Sequence, residues 1–254
     1  MLSIENLSVD YAGSSVLRDL SISIPQGKIT ALIGPNGCGK STLLKAISGS
    51  LKAATGKVSL GGQDLTQLSH KKRARRLSIL PQSPITPEGI SVRQLVSFGR
   101  NPYLSPWGGL SPDDLQKVHM ALADTGLTDL AERRVDSLSG GQRQRAWIAM
   151  ILAQDTEYIL LDEPTTYLDL THQIELMEMI QKMNKSGKTL VVVLHDLNQA
   201  CRYCDHLIVM KKGQLVAQDS PHKIFNSTLL KQVFALNAII INDPVANKPM
   251  CIPL

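Results

Sequence analysis

The residues best suited to chemistry in this sequence lie in the stretch KITALIGPNGCGKSTLL, from Lys28 to Leu44. A short apolar run changes there into a glycine-rich turn and then into a helical pattern. Glycine permits positive φ values, so successive backbone N–H groups can point inward at a polyphosphate. Lys40 adds a mobile positive charge for the outer phosphates, and the Ser41 hydroxyl is suited to coordinate magnesium. The stretch therefore predicts a site for a nucleoside triphosphate with magnesium.

The surroundings of this turn support the same interpretation. The helix that begins near Lys40 directs the positive end of its dipole at the bound anion. A G-x-x-x-x-G-K-[ST] pattern between an apolar strand and a helix is the context that distinguishes a P-loop from a glycine turn with a solvated lysine. The predicted nucleotide-binding residues of the loop are Gly34, Pro35, Asn36, Gly37, Cys38, Gly39, Lys40, Ser41 and Thr42.

Two acidic residues, Asp162 and Glu163, end a fully apolar run. A carboxylate at the end of a buried strand is poorly solvated unless it meets a cation, and magnesium is the obvious partner. We expect Asp162 to hold the ion and Glu163 to polarise the water that attacks the γ-phosphate. The alternative, an acid-rich helix N-terminus, is disfavoured because Pro164 interrupts the pattern.

A second anion-binding helix end is predicted at Ser139, Gly140 and Gly141, which open a helical pattern running from Gln142 to Leu152. One chain therefore has two phosphate-binding ends but only one metal-binding strand. The economical hypothesis is that two copies meet head to tail, and that the second end of each copy completes the P-loop site of the other.

The length and composition of the chain limit the size of its domains, its location and its partners. A chain of 254 residues is long enough for one large α/β domain with an inserted subdomain. The hydrophobic fraction is 43%, the sequence has no apolar run long enough for a membrane span, and it starts without a signal-peptide pattern, so we expect a cytoplasmic protein. The net charge of +5 is mild, and the basic cluster 71–76 predicts a solvated helix face rather than a nucleic-acid or lipid site. Cys201 and Cys204 are expected to pack rather than to bind metal or act in redox chemistry.

The hydrophobic patterning predicts the elements that must position these residues. Alternation predicts antiparallel strands at 1–10 and 21–24, and apolar runs predict buried strands at 77–80, 158–161 and 189–194. Helices are predicted at 91–98, from Ser111 and at 170–183, with a hairpin at 207–217. We expect an α/β core at 1–87 and 156–225, a helical subdomain at 88–155, and a C-terminal appendix at 226–254.

Four motifs follow one another in the order GPNGCGKST, LSGGQ, LLDEP and VVLHD, and Gln82 lies between the first two. Together they resemble the motifs of ABC transporter ATP-binding subunits, and the resemblance extends over nearly the whole chain. The resemblance implies a P-loop NTPase fold with a RecA-like core, an antiparallel β subdomain and an inserted helical subdomain. It implies that Tyr11 stacks on adenine, that His195 contacts the γ-phosphate, and that Gln82 contacts magnesium and the attacking water. The metal ligands are then Ser41, Gln82 and Asp162.

The same resemblance implies roles for the remaining motif residues. Glu163 is expected to be the catalytic base, and Asp169 to link the two sites across the dimer. The partner's ATP is expected to be contacted by Ser139, Gly140, Gly141 and Gln142. Cys38 in the loop and Tyr167 before Leu168 depart from the usual residues, and neither departure removes a reacting group.

A narrower resemblance lies in TPEGISVRQLVSFGRNPYLSPWG together with LSGGQRQRAWIAMILAQ and LLDEPTTYLDL. These stretches resemble importers for iron–siderophore complexes and vitamin B12, and most of all the ATPases of ferric citrate importers. This implies ATP and Mg²⁺ as ligands, a homodimer on the cytoplasmic face of the inner membrane, integral-membrane permease subunits, a periplasmic or lipoprotein substrate-binding protein, and no nucleic acid. The helical insertion between Gln82 and Ser139 is expected to dock on the permease.

Three alternatives remain open at this point. The first is an importer for vitamin B12 or haem. The second is a soluble ABC-type ATPase acting on DNA or ribosomes, but the sequence has neither the coiled coil nor the duplicated domain of those proteins. The third, a P-loop kinase or GTPase, leaves the segment from Leu138 to Gln142 unexplained.

Overall fold

The computed structural model describes residues 1–11, 13–105 and 108–254, and at Tyr11 it describes the backbone but not the side chain. Within these residues the strands are β1 (Leu2–Tyr11), β2 (Ser14–Ile24), β3 (Ile29–Ile33), β4 (Thr55–Leu60), β5 (Gln63–Asp64), β6 (Leu77–Leu80), β7 (Tyr158–Leu161), β8 (Thr189–Val193), β9 (His206–Lys211), β10 (Gln214–Asp219), β11 (Ala238–Asn242) and β12 (Pro249–Pro253). The α-helices are α1 (Lys40–Ser48), α2 (His70–Ala74), α3 (Val92–Ser97), α4 (Pro112–Asp124), α5 (Gly140–Ala153), α6 (Leu170–Lys185), α7 (Leu197–Tyr203), α8 (Pro221–Ile224) and α9 (Ser227–Phe234).

The chain divides into two compact units. The first unit contains Met1–Leu68 and Thr189–Leu254, and the second contains Ser69–Lys188. The subdomain boundaries expected from the sequence, 1–87 with 156–225, 88–155 and 226–254, stay predictions. None of the helices in the described residues combines the length and the apolar character that crossing a membrane requires.

The first unit begins with an antiparallel sheet in the order β2-β1-β4-β5. Leu2 of β1 lies opposite Ile24 of β2 on one side and Leu60 of β4 on the other. The alternating apolar residues of β1 are buried, as a strand with one face on a core requires. The predicted antiparallel strands are confirmed, and β2 begins seven residues earlier than the predicted 21–24.

A second sheet region of the same unit carries the P-loop. β3 pairs in parallel with β8 on one side and β9 on the other, and β10 completes the hairpin with β9. All five residues of β3 and of β8 are buried, as is typical of parallel strands covered on both faces. Because parallel strands end at the same edge, Gly34 after β3 and His195 after β8 lie at one edge of this sheet.

The C-terminal appendix is a helix and a hairpin, and it is anchored to α7. The predicted strand near Ala238 is confirmed as β11, and β12, which the sequence did not reveal, pairs with it antiparallel. The Asn198 side chain donates to the Cys251 carbonyl (3.1 Å) and accepts from the Cys251 N–H (2.8 Å). Cys201 and Cys204 are buried and not in disulfides, and burial raises the pKa of the Cys204 thiol to about 12. These observations favour the predicted packing role of the two thiols.

The second unit contains one parallel strand pair, β6 and β7. All four residues of β7 are buried, and the Asp162 N–H continues the ladder by donating to the Leu80 carbonyl (2.9 Å). The carboxyl ends of the two strands therefore meet at one edge. This edge brings together Gln82, which follows β6, and the acidic pair that follows β7.

Three helices of this unit start from the same local signal. Ser91, Ser111 and Ser139 cap α3, α4 and α5, each with a reciprocal side-chain bond from the third helical residue. Pro112 occupies the first turn of α4, as predicted. The third helix begins at Gly140, two residues before the predicted start.

A buried ion pair fixes the helices of the second unit to one another. Arg100 donates from Nε to Asp114 (2.7 Å) and from Nη1 to the Ala153 carbonyl (2.8 Å). The Arg100 guanidinium also lies 3.9 Å from the centre of the Tyr103 ring. Arg75 of the predicted basic helix face donates to the Pro102 carbonyl (2.9 Å), so part of that cluster anchors the neighbouring loop.

Candidate functional site

The backbone of the P-loop has the shape that a phosphate cradle needs. Gly37 has φ 74° and Gly39 has φ 103°, values in the left-handed region that residues with a Cβ avoid. The turn is closed by the Cys38 N–H, which donates to the Pro35 carbonyl (3.2 Å). Gly39 is also the N-cap of α1, so the turn passes directly into a helix N-terminus that favours anions.

Glycine is required at position 34 for a different reason, because the backbone of β9 lies very close to it. A Cβ at this position would lie 2.3 Å from the carbonyl oxygen of Met210 in β9. The turn of the β9–β10 hairpin supports the loop from the same side, because the Gly213 N–H donates to the Cys38 carbonyl (3.0 Å). The hairpin predicted from the sequence therefore supports the loop.

Lys40 is buried, with 5% of its surface exposed. Its ammonium donates to the carbonyls of Gly34 (2.8 Å) and Pro35 (3.2 Å), which holds the positive charge inside the turn. The Cys38 thiol lies beside it, with its sulfur 4.0 Å from Nζ. Burial raises the pKa of the Cys38 thiol although Lys40 opposes that shift, so Cys38 acts as a small packing residue in the loop.

In the second unit, the structure brings the predicted base and Gln82 into contact. The Gln82 amide nitrogen donates to a Glu163 carboxylate oxygen (2.5 Å), and the Thr166 hydroxyl donates to the same oxygen (3.4 Å). Glu163 has φ 51°, a left-handed conformation that is strained for a residue with a side chain. Strain of this kind concentrates at functional sites, where it fixes the direction of a side chain.

Asp162 differs from its neighbour in its burial. Only 4% of its surface is exposed, at the end of a strand in which every residue is buried. A carboxylate in such a place is stable only with hydrogen bonds or a cation. Glu163 is half-buried, so the two neighbouring carboxylates differ in their exposure to solvent, and their predicted roles as metal ligand and general base stay predictions.

The second predicted phosphate-binding end is the N-terminus of α5. The Ser139 hydroxyl accepts from the Gln142 N–H (3.3 Å), and the Gln142 side chain accepts from the Ser139 N–H (3.1 Å). Gln142 therefore stabilises the helix start, while its predicted contact with ATP stays a prediction. At Gly140, none of the described atoms outside its chain neighbours and the backbone of its own helix lies within 4 Å of the place where a Cβ would stand, so this face of the helix end is open.

Asp169, predicted to link the two sites across the dimer, caps α6. Its carboxylate accepts from the His172 N–H (2.9 Å) and is 2.7 Å from His172 Nδ1. These two contacts, the backbone one first, lower the pKa of the Asp169 carboxyl. His172 was not among the residues predicted from the sequence, although an Asp followed three positions later by a His at a helix start is a recognisable capping pattern.

For the remaining predicted residues, the structure gives a position in the fold. His195 is exposed and follows β8 at the P-loop edge, and the next residue, Asp196, caps α7. Ser41 and Thr42 occupy the first turn of α1. The Tyr11 side chain, predicted to stack on adenine, lies outside the described part of the structure. Each catalytic and binding role assigned from the sequence stays a prediction.

A glycine-rich turn between a buried parallel strand and a helix defines a P-loop nucleotide-binding protein. Residues 17–166 match the family model described as ABC transporter, which covers more than half of the chain. The chain therefore belongs to the ABC transporter family. It is an ATP-binding and ATP-hydrolysing cassette of that family.

Similar proteins match over almost the full length. The chain is 48% identical to the iron(3+)-hydroxamate import ATP-binding protein FhuC of Bacillus subtilis, over 99% of this chain and 94% of that protein. It is 51% identical to the achromobactin transport ATP-binding protein CbrD of Dickeya dadantii, over 97% and 92%. It is 47% identical to the ferric enterobactin transport ATP-binding protein FepC of Escherichia coli, over 98% and 93%.

Solved structures show the same fold. One chain of an ABC transporter assigned to the metal-chelate type, in an inward-facing conformation, matches with a TM-score of 0.86 and 29% identity, over 100% of this chain and 97% of that one. A dimeric bacterial ABC transporter cassette matches with a TM-score of 0.77 and 28% identity, over 87% and 98%. The predicted fold class is confirmed by these matches.

Proposed function

We propose that this cassette powers the import of an iron(III)–siderophore chelate through a membrane permease. The observation that carries the proposal is the identity of 47–51%, over at least 97% of the chain, to three proteins whose names specify hydroxamate, achromobactin and enterobactin transport. The similar chain from a metal-chelate type transporter supports the same class of cargo. Ferric citrate, the finer prediction from the sequence, remains within this proposal as one iron(III) chelate to be tested.

An uptake experiment tests the cargo. Cells that lack the gene for this cassette are given radiolabelled iron as hydroxamate, catecholate or citrate complexes, and in parallel labelled vitamin B12 or haem. We expect the intact gene to restore uptake of at least one iron chelate, and a gene carrying Glu163→Gln to fail. Restored uptake of vitamin B12 or haem with none of any iron chelate would overturn the proposal in favour of the alternative importers.

The P-loop is proposed to bind the phosphates of ATP. The Lys40 ammonium supplies positive charge, and the N-terminus of α1 adds its N–H groups and its dipole. We assign adenine stacking to Tyr11 and a γ-phosphate contact to His195. The full nucleotide-binding set is the nine-residue loop from Gly34 to Thr42 together with Tyr11.

The proposed magnesium ligands are Ser41, Gln82 and Asp162. All three offer oxygen atoms, which is the donor chemistry that Mg²⁺ prefers. Gln82 donates from its amide nitrogen to Glu163, so its carbonyl oxygen is the atom that remains for a metal. The donor set therefore fits the ion, which when bound would neutralise charge on the phosphates.

Glu163 is proposed to act as the general base of hydrolysis. Its carboxylate accepts the proton of the water that attacks the γ-phosphate, while Gln82 holds one carboxylate oxygen and orients the water. The left-handed backbone at Glu163 fixes the direction from which the carboxylate approaches.

Two copies of the cassette are proposed to close around ATP. The signature segment, Ser139–Gly141, would contact the γ-phosphate of the partner's ATP, with Gln142 at its border and Asp169 linking the two sites. The open face at Gly140 and the anion-favouring helix N-terminus support this role. The similar dimeric cassette supports the assembly. Closure on ATP and opening after hydrolysis would then couple the two sites to a permease.

The proposed complex has further partners. Integral-membrane permease subunits would receive the helical subdomain, and a periplasmic or lipoprotein binding protein would deliver the chelate. The cassette would work at the cytoplasmic face of the inner membrane. Co-purification from detergent-solubilised membranes tests this arrangement, and recovery of nucleic acid or ribosomes in place of a polytopic membrane protein would contradict it.

A further inference from the structure

The signature segment contains two glycines, Gly140 and Gly141, and their surroundings differ. Neither has a positive φ, so the backbone conformation demands glycine at neither position. Gly140 faces open space within the described residues. At Gly141, however, a Cβ would lie 2.5 Å from Cδ2 and 2.9 Å from Nε2 of His172. The His172 ring occupies the space that a side chain at position 141 would need.

The opposite edge of the same ring is bound to Asp169. His172 Nδ1 lies 2.7 Å from Oδ1 of Asp169, and the His172 N–H donates to that oxygen (2.9 Å). Because a carboxylate oxygen only accepts, Nδ1 is assigned as the protonated nitrogen. One side chain thus touches both the predicted dimer link and the segment predicted to bind the partner's ATP, and both contacts lie within the second unit.

The ring packs between α5 and α6 on one side, and 38% of the His172 side-chain surface is exposed on the other. The remaining cavity beside it is about 10 Å³, space for one water molecule. Its lining comes from both helices, with Gln144 and Arg145 on α5 and Glu175 and Met179 on α6. The contact of the ring with Gly141 and its bond to Asp169 therefore join the start of α5 to the start of α6.

We propose that His172 is a positioning residue that couples the signature segment to Asp169 within each copy. When the partner's ATP engages Ser139–Gly141, the ring resting on Gly141 is fixed, and with it the carboxylate that it binds. This inference rests on the proposed function, because it presumes that the signature segment and Asp169 act in ATP-driven closure. The inference also assigns different reasons to the two glycines. Position 141 is glycine because the His172 ring needs the space, and position 140 is glycine because the phosphate of the partner's ATP needs an open face.

Two substitutions at His172 separate its two contacts. His172→Phe keeps a ring over Gly141 and removes the donor to Asp169. His172→Asn keeps a nitrogen donor at the position of Nδ1 and removes the ring edge that covers Gly141. His222→Phe is the matched control, because His222 is an exposed histidine in α8 and has no part in the site.

All variants are made in a Glu163→Gln background, and the ATP concentration that gives half-maximal dimerisation is measured by size-exclusion chromatography. We expect each His172 variant to raise that concentration about fivefold, while the affinity of the monomer for ATP and the thermal midpoint of unfolding stay close to those of the control. A merely structural role would change the thermal midpoint instead, and would contradict the proposal.

A double-mutant cycle tests the packing directly. Gly141→Ala in the presence of His172 displaces the ring, and we expect dimerisation to weaken more than about tenfold. In a His172→Ala background the new methyl group has room, and Gly141→Ala should weaken dimerisation less than about threefold. Equal effects in both backgrounds would overturn the coupling.

The outcomes also separate this inference from the proposed function. If the Glu163→Gln protein does not dimerise with ATP at all, the shared-site proposal fails. If it dimerises and the His172 variants match the His222→Phe control, the shared-site proposal stands and the role of His172 is wrong.

Discussion

Gln82 and Glu163, which are 81 residues apart in the chain, are joined by a hydrogen bond of 2.5 Å between the glutamine amide nitrogen and a carboxylate oxygen. The bond exists because β6 and β7 are parallel neighbours that end at the same edge. It holds one oxygen of the Glu163 carboxylate in a fixed direction at this edge, which supports the proposed role of Glu163 as the general base.

The first prediction concerns this base. Glu163→Gln should lower the ATP turnover rate at least about a hundredfold, because an amide cannot accept the proton of the attacking water. Binding of ATP should be unchanged, and an ATP-bound dimer should accumulate. A phosphate-release assay with purified cassette measures the first effect. Glu178 is an exposed carboxylate on α6, so Glu178→Gln is the control and should hydrolyse ATP at the normal rate. A normal rate for Glu163→Gln would exclude Glu163 as the base.

The second prediction concerns the buried ammonium of the P-loop. Lys40→Ala should weaken ATP binding about a hundredfold, because it removes a charge that the loop carbonyls hold in place for the phosphates. Equilibrium titration with a fluorescent ATP analogue measures the loss. Lys45→Ala lies on the exposed end of the same helix and should bind ATP normally. Equal affinities for the two variants would contradict the assignment of Lys40.

The third prediction separates capping from ligand binding. Ser139→Ala removes an N-cap and should cost about 1 kcal/mol of stability, but it should also prevent ATP-driven dimerisation while the monomer still binds ATP. Ser91→Ala removes the same kind of cap, a serine paired with a glutamine, from α3 and should cost a similar amount with normal dimerisation. The shared-site proposal would be wrong if the Ser139 variant dimerised as well as the Ser91 variant.

The fourth prediction concerns the buried ion pair of the second unit. Hydrogen bonds from the hydroxyl and the N–H of Ser111, and then from Arg100, outweigh the effect of burial and lower the pKa of the Asp114 carboxyl to about 2 from 3.8. Because the folded pKa is lower than the unfolded one, the stabilisation is complete above pH 4 and is lost as the pH falls towards 2. Its size is about 2 kcal/mol, from the difference between the two pKa values.

Asp114→Asn should therefore destabilise the protein by about 3 kcal/mol at pH 7, since it leaves a buried guanidinium without its counter-charge. The deficit relative to the wild type should shrink between pH 4 and pH 2. Urea unfolding at a series of pH values measures both effects, with the exposed Asp113→Asn as the control. A deficit that stays constant down to pH 2 would show that the Asp114 carboxyl is not the titrating group.

The sequence predicted the parts of the site that are encoded locally. The loop from Gly34 to Thr42, the buried strand before Asp162 and the helix start after Ser139 each depend on neighbours within a few residues, so type and spacing are sufficient to predict them. The same holds for Ser111 and Pro112, whose order predicts a helix start.

The parts that the sequence could not predict depend on distant pairing. The contact of Gly141 with His172, the pairing of Arg100 with Asp114, and the approach of Met210 to Gly34 each join segments whose distance in space follows from the fold. The strand at Pro249–Pro253 was missed because two prolines and a cysteine do not have a strand pattern, and pairing with Ala238–Asn242 decides its conformation.

The paired hydrogen bonds between Asn198 and Cys251 have a practical consequence for handling the protein. The last residues are not a dispensable tail, because deleting 249–254 removes a strand and leaves a part-buried amide on the helix that follows His195 without its two partners. A truncation for crystallography should therefore retain residues 249–254.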